Sequence, residues 1–222
     1  MREQPYALQN TQVAEQETSK VLRNTYALLA MTLGFSGLVA FAAQQAGVPH
    51  PGFIITLVGF YGLFFLTTKL RDSGWGLLST FALTGFMGYT LGPILNRYLG
   101  MSNGADLIVS AFTMTAIVFG GLSAYVLTTR KNMSFLSGFI TVGFFVLLGA
   151  ILAAWLFEIS GLQLAISAGF VLFSSAAILY QTSEIIHGGE RNYIMATISL
   201  YVSIYNLFLS LLQIFGIMGR DD

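Results

Sequence analysis

The chain has 222 residues, of which 55% are hydrophobic and only 9% charged, and its formal net charge is zero. A soluble domain carries about 25% charged residues, so this chain lacks the polar surface to face water and must use lipid as solvent over much of its length. Zero net charge argues against a nucleic-acid partner. The absence of cysteine excludes disulfides, thiolate nucleophiles and cysteine-based metal sites.

Residues 1–23 (MREQPYALQNTQVAEQETSKVLR) are polar and carry three acids. They show no short apolar core ending in a cleavage site, so they do not read as a secretory signal. They are expected to form a polar cytosolic tail ahead of a transmembrane domain covering 24–222. A helix needs about 20 residues to cross the hydrocarbon core, and seven windows qualify in turn. These are Asn24–Ala43, Gly52–Thr68, Gly74–Leu95, Ala105–Leu127, Ser134–Phe157, Leu162–Ile186 and Tyr193–Met218. The second is short before Lys69, whose stem can snorkel to the interface. Connections are brief and leave no room for an extramembrane domain. The expected fold is therefore all-α: a polytopic integral membrane protein with seven transmembrane helices.

Orientation follows from the basic residues. With the N-terminus in the cytosol, the inner side holds Arg2, Lys20, Arg23, Lys69, Arg71, Arg130, Lys131 and Arg191, and the outer side only Arg97 and Arg220. A six-span alternative, with the last segment dipping back, changes the side of Arg220 alone. The length of the apolar stretch from Tyr193 favours seven spans and a periplasmic C-terminus. Asp106 is expected to cap the fourth span, and Glu158 to lie at an outer helix end. Gly85, Gly88 and Gly92 line one face of the third span, and Ala165 and Gly169 one face of the sixth. Such stripes permit close helix approach.

Polar residues in the last two spans form two further stripes. Ser199, Ser203, Asn206, Ser210 and Gln213 recur at intervals of 4, 3, 4 and 3 in the seventh, and Ser167, Ser174 and Gln181 every seven in the sixth. Each set shares a helix face and is expected to turn inward, toward the other. The plain reading is interhelical hydrogen bonding, worth about 0.6 kcal/mol per bond; the sharper one is a polar pathway or sensor. Glu184, near the inner end of the sixth span, is the one acid close to being intramembrane. Gly34-Phe35-Ser36-Gly37 matches the GxSG of rhomboid proteases. The serine there needs a histidine base, however, and His50 and His187 both fall in connections, so Ser36 reads as a packing residue. His187 and Glu190 are two ligands in a wet loop, too few for a metal site. No catalytic set and no cofactor site are read from the sequence.

The segments GYTLGPILNRYL (88–99), SAYVLTTRKNMSFL (123–136) and ILYQTSEIIHGGERNYIMATISLYVSIYNLF (178–208) resemble the Bax inhibitor family of membrane proteins. The likeness runs from about Lys20 to the C-terminus. It is nearest a bacterial branch that modulates the membrane-anchored, ATP-dependent protease FtsH. The resemblance implies a multi-pass inner-membrane protein that binds and modulates an FtsH-type protease, with a slowly degraded substrate gripped by its polar N-terminus as the expected manner. The alternative it implies is a pH-sensitive calcium or cation leak, because some members use an aspartate pair in the sixth and seventh helices. Their positions correspond here to Gln181 and Ser203, neither of which titrates. Glu184, one turn from Gln181, supplies one acid but not a pair.

Overall fold

The computed structural model describes residues 4–157 and 161–219, with side chains described from residue 16 onward except at 155. Arg2, Glu158 and Arg220, used above for orientation and helix ends, lie outside the described residues. The helices are α1 (Gln4–Gln45), α2 (Phe53–Leu70), α3 (Trp75–Leu99), α4 (Gly104–Thr129), α5 (Leu136–Phe157), α6 (Leu162–Ile186) and α7 (Tyr193–Met218). All seven are long and apolar enough to cross a membrane. The last two begin and end where the hydropathy windows did, because polar turns bound both sharply.

Most of the other helix ends shift from the sequence reading by one or two residues, and three differences matter. α1 begins at Gln4, far ahead of Asn24, so the polar segment continues the first span as helix. α3 runs on to Leu99 through Pro93. Asp106 does not cap α4: the cap position is Asn103, without a side-chain capping bond, and Asp106 lies inside the first turn. There it still complements the helix dipole. The true side-chain cap is Asn192 on α7, whose Oδ1 accepts from the backbone N–H of Ile194 (3.0 Å) and Met195 (3.1 Å).

α7 is the most buried helix of the bundle, whereas α2 and α5 give almost all their surface to lipid. It packs against α1, α4 and α6, while α3 closes on α1, α2 docks on α3 and α5 on α6. Three apolar clusters run along it. One gathers Leu29, Met87, Ile185, Leu200 and Tyr201, another Ala111, Ile178, Leu207, Leu211 and Leu212, and a third Leu28, Leu83, Ile194 and Ile198. Polar ties fix the register of α1 and α3. The Tyr201 hydroxyl lies 2.5 Å from Ser36 Oγ and donates to the Thr84 carbonyl at 3.3 Å. Gln44 Nε2 donates to Asn96 Oδ1 at 3.0 Å, and Asn96 Nδ2 returns a bond to the Gln44 carbonyl at 3.0 Å.

The glycine stripe of α3 is what lets α1 come this close. A Cβ on Gly88 would overlap the Ser36 carbonyl oxygen, and one on Gly92 would lie 2.6 Å from Ala43 Cβ and 2.9 Å from Gln44 N. At Gly88 the obstacle is backbone and cannot rotate away. On α6, a Cβ on Gly169 would lie 2.8 Å from Leu147 Cδ2, so small residues admit α5 there too. Gly88→Ala is expected to destabilise the bundle by about 1–3 kcal/mol, as overpacking does. Gly120→Ala, with nothing within 4 Å of the added carbon, should be close to neutral. Thermal unfolding of the two variants in detergent checks the contrast.

Candidate functional site

Gln181 and Ser203, the positions that resemble an acid pair, meet in the fold. The Ser203 hydroxyl lies 3.2 Å from Gln181 Oε1 and 3.0 Å from the Ser199 carbonyl. One hydroxyl proton is shared between two acceptors here. Turning the Gln181 amide so that its NH2 donates to Ser203 Oγ would satisfy all three groups, since amide oxygen and nitrogen are nearly interchangeable in shape. Ser203 is buried and Gln181 half-buried. The bond therefore joins α6 to α7 inside the bundle, close to the end that carries the α6–α7 turn.

A cavity of about 160 Å³ opens beside this bond, lined by Tyr180, Gln181, Glu184, Glu190 and Ser199 with Ile185, Gly189 and Ala196. The Glu184 carboxylate lies over Gly189, where a Cβ would collide with it, and the Glu184 carbonyl accepts the Gly189 N–H at 2.8 Å. Gly188 at φ 75° turns the chain out of α6, a conformation that suits glycine. Glu184 is thus a half-buried wall of the cavity.

The same turn clasps two other connections. His187 Nδ1 lies 2.8 Å from its own-helix Ser183 carbonyl, and Nε2 lies 3.1 Å from the Arg130 carbonyl. With its N–H on Nε2 the ring donates to the Arg130 carbonyl and leaves Nδ1 to accept from Ser183 Oγ, 3.2 Å away. Ser183 Oγ accepts the Met133 N–H at 2.9 Å. Asn192 Nδ2 donates to Asp72 Oδ1 at 2.8 Å and to the Arg71 carbonyl at 3.2 Å. Arg130, at φ 51°, is the one non-glycine in left-handed backbone among the described residues, and its carbonyl is the one His187 holds. The sequence reading missed this clasp. Its local signals were the Ser183/His187 spacing of one turn and an asparagine directly ahead of an apolar helix.

The two polar stripes do not meet along their length. Ser167 bonds back to the Gln163 carbonyl at 2.9 Å, and Ser174 is buried with no hydrogen-bond partner. Ser210 is buried, Ser199, Asn206 and Gln213 are half-buried, and among the described stripe residues the one cross-link is Gln181–Ser203. Ser36 is more than a packing residue, since it bonds the buried Tyr201.

Comparison with known proteins decides the family. Residues 18–220 match the family model described as inhibitor of apoptosis-promoting Bax1. The chain belongs to the Bax inhibitor family. It is 77% identical over 223 residues to a Pseudomonas aeruginosa protein, covering both chains in full. It is 56% identical over 204 residues to the Escherichia coli protein named modulator of FtsH protease YccA, covering 92% of this chain and 93% of that one. A membrane protein of Vibrio cholerae is 44% identical over 207 residues, covering 93% of each.

The chemistry of this pair is set by two neutral side chains. Gln and Ser hydrogen-bond but do not titrate, so the contact between α6 and α7 carries no charge that pH can change. Cation flux through the purified protein in liposomes is expected to be small and flat between about pH 6 and 8. Gln181→Asp together with Ser203→Asp should introduce pH dependence, because two facing carboxyls cannot both ionise and one is held protonated to higher pH. Either change alone should do less, lacking its coupled partner. Dye-reported calcium flux, with size-exclusion profiles to confirm folding, measures this. A large pH-gated flux in the unmodified protein would contradict it.

Proposed function

We propose that this chain is a non-enzymatic, inner-membrane partner of an FtsH-type protease and modulates it by occupying it as a slowly degraded competitor. The name of the Escherichia coli relative, at 56% identity, supplies the partner. The observation that carries the manner of action is the course of α1, whose polar segment from Gln4 to Arg23 leads without a break into the helix that packs on α3 and α7. With the basic residues as distributed, that segment projects into the cytosol. As helix it rises about 30 Å, and so polar a stretch is marginal as a helix on its own, which suits a cytosolic unfoldase seeking a grip.

Pulling on that grip meets strong resistance at once. Withdrawing α1 must separate Ser36 from Tyr201, Gln44 from Asn96 and the glycine face of α3 from the α1 backbone. A protease engaged on such a chain stalls, and a stalled protease is withheld from other substrates. The cation-leak reading is set aside because the Gln181–Ser203 contact contains no acid.

The experiment is pulse-chase turnover in cells that contain the protease. Deleting residues 2–15 leaves the packed residues Val21 and Leu22 in place and is expected to lengthen the half-life. Gly88→Ala, with the segment intact, is expected to shorten it, because the α1–α3 seam is weakened. Turnover unmoved by the deletion, with the protease active on a control substrate, would count against this mechanism.

A further inference from the structure

Hydroxyls in these spans have a default partner, the carbonyl one turn back on their own helix. Thr67, Thr80, Thr84, Thr115, Thr197 and Ser203 all take it, at 2.7–3.0 Å. Five buried hydroxyls do not: Thr25 and Tyr26 on α1, Ser123 on α4, and Ser174 and Thr182 on α6 have no protein partner at all. Their burial is nearly complete at Thr25, Ser123, Ser174 and Thr182, none more than 4% exposed. A hydroxyl in a dry interior should at least rotate onto its own helix carbonyl. The four on Ser and Thr turn elsewhere, and the Tyr26 phenol, too far from its own helix carbonyls to use one, has no protein partner either.

All but Thr25 border one seam. The Tyr26 ring stacks on Phe119 of α4, with centroids 6.2 Å apart. Phe119 belongs both to the cluster with Leu22, Leu29 and Ile185 and to the cluster with Leu122, Val171 and Ile178. Ser123 lies one turn from Phe119, Thr182 one turn from Ile178 and Ile185, and Ser174 one turn from Val171 and Ile178. Thr25 sits against α7, where its carbonyl accepts from Thr197 Oγ1 at 3.3 Å. At 1.5 Å per residue, Thr182 is about 6 Å, Ser123 about 9 Å and Ser174 about 18 Å from the helix ends joined by the His187–Arg130 contact. The hydroxyls are thus graded in depth from that end toward the middle of the bundle.

We infer that the seam between α1, α4 and α6 is a binding site for internal water, entering at the α6–α7 turn and reaching Ser174. Water is the ligand the chemistry selects. Each group is a small donor–acceptor with no charge beside it among the five, and a bridging water needs two to four such partners. A larger ligand would need an open pocket, whereas the neighbours of these hydroxyls along their helices are Phe, Leu and Ile side chains packed in the core.

Water-edited solid-state NMR of the full chain in lipid bilayers tests this. Polarisation from water protons should reach Thr182, Ser123 and Ser174 several-fold faster than Ala111 and Leu212, which are fully buried in the apolar cluster. Build-up at the three hydroxyl residues no faster than at Ala111 overturns the inference. Thr182→Val keeps the side-chain shape and removes one water partner, so transfer to Ser123 should fall and the thermal midpoint should drop. A rise in midpoint, the response of a dry and unsatisfied hydroxyl, also overturns it. If the valine variant does not fold, Ser123→Ala provides the same comparison with the readout moved to Thr182.

Discussion

The fold depends on α7 being buried on most of its circumference. A helix in lipid gains nothing from the hydrophobic effect by meeting another apolar helix, so its place must be set by close packing and by hydrogen bonds. α7 has both. Its apolar residues fill three clusters shared with α1, α3, α4 and α6, and its buried Tyr201 binds Ser36 on α1 and the Thr84 carbonyl on α3. The phenol ties three helices together by hydrogen bond, and it sits where glycines on α3 have already drawn α1 in.

The functional readings follow from that centre. Because α6 is held along α7, Gln181 and Ser203 are brought within bonding distance, and the contact they make is neutral. Because α1 is locked to α3 and α7, a force applied to the N-terminal segment is borne by the best-packed part of the molecule. The turn between α6 and α7 closes the same end, with His187 reaching the α4–α5 connection and Asn192 reaching the α2–α3 connection. Resistance to extraction and absence of a titrating pair belong to one architecture.

Much of this was legible in the residues. Seven apolar windows, bounded by charges and turn residues, placed every span, and α6 and α7 were placed to the residue because Gly161 precedes one and Asn192 caps the other. The glycine stripe predicted the face of α3 that α1 uses. The Gln181–Ser203 contact was legible only through resemblance, since hydropathy and period gave their faces but not their level. What stayed hidden was tertiary by nature. Nothing local to Ser36 points to a tyrosine 165 residues away. A window of hydropathy likewise stops at the last apolar residue, so the helical course of residues 4–23 could not be read from it. The Asp106 error has the same root, because an acid near a helix start suits either the cap or the first turn, and the Asn103 backbone settled which.

The central claim is that this chain withholds a membrane-anchored protease from other substrates. It is tested most directly by the decay of a second, unrelated membrane substrate of that protease, followed with this chain absent and overproduced. The account predicts that overproduction slows the decay, and that the version lacking residues 2–15, made to the same level, restores it. Decay of the second substrate at one rate in all three conditions would contradict it.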